Sequence, residues 1–316
     1  MSGTGSRIHT IGAALLALAA AAAMGAVPPA DATAPITQAG DYRYTVRHGG
    51  LARKYRVHVP PGVDLSKPLP LLVSMHGGGG NMEYQASEER YGQISKSDRT
   101  GFVVVFPNGV GALGDELATW NAGRCCGQAK EKNIDDVGFI RLVVSNLKRQ
   151  LKIDPERVYA TGMSNGGMMA HRLACEAPDV FRAVAAVAGT DNTVACSPQR
   201  PVSVLQIHAR DDDHVPFDGG LGEKSRRRQV TGFTAVPATI ARWVERDRCP
   251  VGPQRVLEVP GAYCDRHAPC AGGTKVALCV TESGGHSWPG ARRKRGGESS
   301  KAISANDVMW EFFDGR

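Results

Sequence analysis

The stretch Gly162-Met163-Ser164-Asn165-Gly166 limits what this chain can become more than any other. The five residues before it, Arg157 to Thr161, include Val158, Tyr159 and Thr161 and predict a short strand. The residues after it, Gly167 to Ala174, predict the start of a helix. A strand that runs into a helix through Gly-x-Ser-x-Gly presents the serine on a tight turn, the arrangement called a nucleophile elbow. Such a turn holds the serine at strained backbone angles. It leaves no room for a β-carbon at 162 or 166, where strand and helix meet. The helix that follows turns its unpaired amides toward the serine, which suits negative charge developing on a substrate carbonyl.

A serine hydroxyl is a weak nucleophile until a histidine takes its proton and a carboxylate fixes that histidine's tautomer. Where an elbow follows a central strand, the acid and then the histidine come later in the chain. The segment Ile207 to Phe217 offers Asp211, Asp212 and Asp213 just past an apolar strand, and chemistry alone does not choose among them. His286 lies in Ser283-Gly284-Gly285-His286-Ser287-Trp288-Pro289-Gly290, after the apolar run 276–280, and fits the base. His214 is a weaker rival. His208 reads as a packed strand-end residue, and His171 and His267 read as structural or surface residues. Upstream, the apolar run 69–75 ends in His76 followed by Gly77, Gly78, Gly79 and Gly80. It has neither the Gly-Lys-Ser/Thr of a phosphate loop nor a Gly-x-Gly-x-x-Gly before a helix. A His-Gly-Gly loop after an early strand instead supplies a second oxyanion donor.

Apolar and helical segments alternate along the chain. Tyr42 to Val46 and Tyr55 to Val59 read as an antiparallel hairpin. Buried strands are expected at 69–75, 101–107, 157–161, 183–187, 201–207 and 276–280. Helices are expected at 82–98, 135–151 and from 167 onward, with 108–133 irregular. Apolar strands alternating with helices give an α/β fold, a mostly parallel sheet covered on both faces. With no internal repeat or linker, residues 33–316 read as one catalytic domain. Residues 1–32 read as a signal peptide: Arg7 and His9, an apolar run 11–27, then Ala30-Asp31-Ala32 at the cleavage site. Pro28-Pro29 ends that run too soon for a stable membrane anchor.

Export makes disulfides the expected state of the eight cysteines, 125, 126, 175, 196, 249, 264, 270 and 279. Cys264 and Cys270 close a short loop containing Pro269, and Cys249 and Cys279 flank that region. Cys125 and Cys126 are adjacent, so each is expected to reach elsewhere. No paired CxxC motif appears, and neither a metal nor another cofactor is expected. The net charge of +7 is concentrated in two runs, Lys224 to Arg228 and Arg292 to Arg295. For an exported chain these read as solvated surface or as contacts to an acidic polymer, not to nucleic acid. The sequence does not name a protein partner.

Six stretches together carry a resemblance: HGGGGN (76–81), CCG (125–127), DDVGFI (135–140), RVYATGMSNGGMMAHRLACE (157–176), IHARDDDHVPF (207–217) and GGHSWPG (284–290). The chain resembles the secreted polyhydroxybutyrate depolymerase and feruloyl esterase group, the carbohydrate-esterase branch of the α/β-hydrolases, over residues 42–315. That resemblance implies an α/β-hydrolase fold and a serine esterase working through an acyl-enzyme. Its substrates would be feruloyl-type esters of plant polysaccharide or short polyhydroxybutyrate chains. It implies Ser164 as nucleophile, Asp212 as acid, His286 as base, and the amides of Gly78 and Asn165 as oxyanion donors; Trp288, two residues beyond the base, reads either as lining the acyl pocket or as an ordinary packed aromatic. The group's His-Gly-Thr-x-Asp pattern is altered here by Ala209 and Arg210, which keeps the count to Asp212 but leaves Asp211 in contention. Two other readings share these residues: a non-catalytic secreted carbohydrate-binding protein on a hydrolase scaffold, and a serine peptidase.

Overall fold

Runs such as Leu69–Met75 and Val103–Pro107 have every residue buried, which only a strand covered on both faces can achieve. The computed structural model describes residues 1–3, 35–223, 232–292 and 298–315. The signal-peptide reading and the basic run 224–228 lie outside the described residues, as does all of the second run beyond Arg292.

The strands in chain order are β1 (Gly40–His48), β2 (Leu51–Val59), β3 (Leu69–Met75), β4 (Val103–Pro107), β5 (Val110–Leu113), β6 (Glu116–Thr119), β7 (Ile153–Met163), β8 (Ala183–Val187), β9 (Ser203–Ala209), β10 (Gln254–Val259), β11 (Ala262–His267) and β12 (Val276–Thr281). Ten of them form one sheet in the order β1-β2-β4-β3-β7-β8-β9-β12-β11-β10. The six central strands, β4 to β12 in that order, run parallel, and antiparallel hairpins close both ends. This is the α/β-hydrolase architecture expected from the sequence.

The pleat sends alternate side chains into two cores. Leu71, Val73 and Met75 enter one, together with Ile140 and Leu147 of the helix Asp136–Gln150, Leu173 of the helix Asn165–Glu176 and Trp243 of the helix Val236–Arg246. Leu72 and Val104 enter the other, with Trp288 and with Met309, Phe312 and Phe313 of the helix Ala305–Asp314. Helices therefore cover both faces.

Three local expectations need correction. The helix expected at 82–98 is three short pieces, Met82–Gln85, Glu88–Tyr91 and Gln93–Thr100, because Gly92 turns left-handed with φ 60° between the last two. The segment 108–133 contains the β5–β6 hairpin and the helix Gly127–Glu131 rather than irregular chain alone. Among the cysteines, Cys264 bonds Cys279, its partner in register across β11 and β12, rather than closing a loop with Cys270. Cys270 bonds Cys249, and Cys175 bonds Cys196. With those six paired, Cys125 and Cys126 have only each other, and they are bonded across a cis peptide instead of reaching elsewhere.

Candidate active site

The parallel strands deliver the candidate residues to one edge of the sheet. Ser164 follows the carboxyl end of β7, Asp212 lies just past β9, His286 past β12, and the glycine loop past β3. In open α/β sheets this edge is where ligands are bound.

The elbow has the strain expected of it. Ser164 stands at φ 55° and ψ −121°, a backbone region that residues other than glycine rarely enter. Its N–H donates to the Val187 carbonyl at 2.8 Å, which ties the turn to β8. A β-carbon on Gly162 would lie 2.4 Å from the Gly166 carbonyl carbon, and one on Gly166 would lie 2.3 Å from the Met75 carbonyl oxygen. Neither position accepts a side chain, so the strand can enter and the helix leave at close quarters only because both are glycine.

Asp212 and His286 are joined: His286 Nδ1 lies 2.8 Å from Asp212 Oδ2. The other carboxylate oxygen accepts the backbone N–H groups of His214 and Val215, each at 2.9 Å. Burial works against the charge on Asp212. The hydrogen bond and field of His286, the neighbouring His208 and the Val215 amide outweigh it and hold the carboxyl below its usual range. Asp211 has a different task, accepting the N–H groups of Gly284 at 3.3 Å and Gly285 at 2.8 Å. Asp213 pairs with His214, whose ring stacks on His286 with centroids 4.8 Å apart. Among the described residues, Asp212, Asp213 and His214 are close enough to hold an ion. Asp212 is already engaged by His286, and no ion is needed to account for the cluster.

The glycine loop lies against the elbow. A β-carbon on Gly77 would be 3.5 Å from Ser164 Cβ, and one on Gly78 would be 3.6 Å from Asn165 Cβ. Gly79 N–H donates to the Ala118 carbonyl at 2.8 Å and Gly80 N–H to the Gly77 carbonyl at 3.0 Å. His76 is fully buried, which lowers its pKa to about 4 and keeps it neutral. Its Nε2 accepts the Gly109 N–H at 3.0 Å, so the proton is on Nδ1, facing the Gly77 carbonyl at 2.8 Å.

Trp288 is 2% exposed and packs edge-on against Tyr91 with ring centroids 5.3 Å apart. It sits in the core beneath the histidine loop rather than on an open surface. Tyr91 also reaches the elbow, its hydroxyl 3.7 Å from Met163 Sδ, so one tyrosine braces the elbow and the histidine loop. His208 and His171 are buried and hydrogen-bonded, and His267 Nδ1 meets the Pro250 carbonyl at 3.0 Å. Residues the sequence did not single out also shape the site. Trp120 bridges the elbow and glycine loop, Gln206 lies between His171 and His208, and Tyr91 joins the two loops. Trp120 and Tyr91 act through partners distant in sequence, and Gln206 reaches His208 two residues along β9 but takes its direction from His171, 35 residues away.

A strained elbow serine on the same sheet edge as an Asp–His pair is the arrangement of the α/β-hydrolases, and its relatives place this one among the carboxylic ester hydrolases. The chain belongs to the family described as Esterase PHB depolymerase, whose model matches residues 53–240. It is 31% identical over 240 residues to feruloyl esterase B of Piromyces equi, covering 74% of this chain but only 42% of that protein. It is also 31% identical over 300 residues to the putative esterase NocK of Nocardia uniformis subsp. tsuyamanensis, covering 89% of this chain and 85% of the relative. Among solved structures, the acetyl xylan esterase from Aspergillus awamori superposes with a TM-score of 0.59 at 13% identity, over 87% of this chain and all of that one. At that identity the likeness shows the fold.

Proposed function

We propose that this chain is a secreted serine esterase that forms an acyl-enzyme on Ser164 and acts on feruloyl-type esters of plant polysaccharide. The observation that carries the mechanism is the Asp212–His286 hydrogen bond, on the same sheet edge as a serine held at φ 55°. His286 takes the proton from Ser164 Oγ as the oxygen attacks the ester carbonyl. Asp212 keeps the proton on Nδ1, so that Nε2 is the base, and steadies the imidazolium that forms. The amides of Gly78 and Asn165 stabilise the oxyanion; each donor of this kind contributes about 3 kcal/mol to lowering the barrier. His286 then protonates the departing alcohol, the acyl group stays on Ser164, and a water activated by His286 releases the acid. No cofactor takes part in these steps.

The similarity to feruloyl esterase B favours the phenolic ester as substrate. The family's own description favours short polyhydroxybutyrate chains as the second reading. Secretion is supported by the pairing of all eight cysteines, a state maintained in oxidising compartments. Among the described residues, no helix is long and apolar enough to cross a membrane. A single catalytic domain over 33–316 agrees with the continuous ten-stranded sheet.

The test is release of ferulic acid from methyl ferulate against release of 3-hydroxybutyrate from short oligomers, with wild type and Ser164→Ala. Ferulate release that Ser164→Ala abolishes is the expected result. Cleavage of the hydroxybutyrate oligomers alone transfers the substrate assignment to the second reading. Activity undiminished in Ser164→Ala removes the serine mechanism.

A further inference from the structure

Behind Asp212, a line of buried polar groups crosses the interior from the helix Val236–Arg246 to the site. Trp243 Nε1 lies 3.0 Å from His171 Nδ1, and His171 Nε2 lies 2.9 Å from Gln206 Oε1. Gln206 Nε2 lies 3.0 Å from His208 Nδ1. His208 Nε2 lies 2.8 Å from the Val215 carbonyl oxygen and 3.4 Å from Asp212 Oδ2. Trp243, His171, Gln206 and His208 are each at most 1% exposed.

The direction of this chain is fixed from both ends. An indole N–H can only donate, so His171 Nδ1 accepts, and a neutral His171 carries its proton on Nε2. The Gln206 atom facing it must then be the oxygen, which leaves the amide nitrogen to donate to His208 Nδ1. His208 therefore carries its proton on Nε2. Independently, a carbonyl oxygen can only accept, so the Val215 carbonyl also requires the proton there. The donors run in one direction, and the last of them, the His208 Nε2–H, ends on the Val215 carbonyl beside Asp212.

We propose that Gln206 and His208 are positioning residues for Asp212: the His208 N–H holds the carbonyl of Val215, whose own N–H grips Asp212 Oδ1. This rests on the reading of Asp212 as the acid of the triad. A neutral donor suits the place. It fixes the turn that carries the carboxylate without setting a second positive charge beside the imidazolium that must form on His286. Burial lowers the pKa of both His208 and His171, in keeping with neutral rings. The charged or titratable groups that face His208 are Asp212 and His286, with the Phe217 ring edge-on to it. Those that face His171 are Asp191 and Arg246. Asp191 is itself bonded to Arg246 at 2.6 Å, so the far end of the chain is closed by an ion pair.

The experiment compares kcat and KM on p-nitrophenyl acetate for wild type, Ser164→Ala, His208→Leu, His208→Gln and Gln206→Glu. His208→Leu is expected to lower kcat roughly tenfold at unchanged KM, the effect of losing one hydrogen bond that fixes the turn carrying Asp212. His208→Gln, whose amide nitrogen can stand where Nε2 stood, is expected to recover most of that loss. Gln206→Glu puts an acceptor opposite His208 Nδ1 and is expected to fall with His208→Leu. Equal losses in His208→Leu and His208→Gln, or wild-type kcat in His208→Leu, overturn the proposal. If Ser164→Ala is inactive in that second case, the triad reading survives and only the positioning role is lost. If Ser164→Ala is as active as wild type, both fall. Nitrogen NMR of wild-type protein labelled in its histidine rings decides the matter without a variant. A neutral His208 protonated on Nε2 throughout the active pH range is expected, and a ring protonated on Nδ1 there overturns the proposal.

Discussion

Trp120 and Asn165 hold each other by two hydrogen bonds: the Trp120 N–H donates to Asn165 Oδ1 at 2.7 Å, and Asn165 Nδ2 donates to the Trp120 carbonyl at 3.0 Å. The indole of the same tryptophan donates to the His76 carbonyl at 2.9 Å. Thus one buried residue ties the elbow to the glycine loop, the two segments whose amides would share an oxyanion. Asn165→Ala leaves the buried N–H of Trp120 without its partner, while the Trp120 carbonyl keeps the Ala122 and Cys126 N–H groups at 3.1 Å. The expected loss of stability is about 3 kcal/mol. A fall in kcat of up to about 100-fold is expected as the amides shift. Trp120→Phe keeps the main-chain exchange and loses only the indole bond, with an expected loss of about 1 kcal/mol and a smaller fall in kcat. Denaturant unfolding and steady-state kinetics on the two variants check the order; equal stability in both would contradict it.

The three adjacent aspartates separate by what they touch. Asp212 is buried against His286, whereas Asp211 is exposed and accepts two backbone amides of the histidine loop. Asp212→Asn preserves shape but can favour the wrong tautomer of His286, and kcat is expected to fall on the order of 10⁴-fold. Asp211→Ala removes only the amide acceptor, and a loss of about tenfold or less is expected, the worth of one positional hydrogen bond. Kinetics of the two variants on one chromogenic ester tests the assignment, and a reversed order would make Asp211 the acid.

The parallel core was legible in the sequence wherever a segment's own composition decided its state. Leu69–Met75 and Ala183–Val187 are strands with the predicted limits, since Pro68 and His76 bound the first apolar run and Arg182 and the Ala188-Gly189 step bound the second. The elbow was legible because Gly162 and Gly166 leave no other choice of side chain. The broken helix at 82–98 was not, since Gly92 tolerates a helix interior as well as the left-handed turn it takes. The same limit applies to the site. Ser164, His286 and the aspartates stand in short local patterns, but the choice of Asp212 for the contact with His286 depends on loops 74 residues apart. The chain Trp243–His171–Gln206–His208 draws on three separate elements, and no spacing within one of them announces it.

Arg53 and Asp136 form a fully buried ion pair at 2.7 Å, between β2 and the first turn of the helix Asp136–Gln150. The guanidinium lies 4.0 Å over the Phe139 ring and donates to the Asn108 carbonyl, and the second oxygen of Asp136 accepts the Asn121 N–H at 2.8 Å. Burial pushes the Asp136 carboxyl upward against the pull of Arg53. Arg53→Met should therefore cost about 3–5 kcal/mol by stranding a charge in the core. The double variant Arg53→Met/Asp136→Asn carries no stranded charge and should recover part of that loss. A double-mutant cycle by chemical denaturation measures the recovery, and strict additivity would show that the two do not interact.

Asp247 ends the helix Val236–Arg246 with its side chain buried, and burial raises its pKa from 3.8 to about 6. In the folded state the carboxyl therefore holds its proton more tightly than in the unfolded chain. Its contribution to stability is fully present below the unfolded value, near pH 4, and is lost as pH rises through about 6. A shift of about two units corresponds to about 3 kcal/mol between those limits. Asp247→Asn stays neutral at every pH and should escape the loss. Its melting temperature should match that of wild type near pH 4 and exceed it increasingly up to about pH 7, then stay ahead. Thermal melts of both proteins across that range give the difference directly. A gap that does not change with pH would mean that the Asp247 charge is accommodated in the folded state and that burial there carries no penalty.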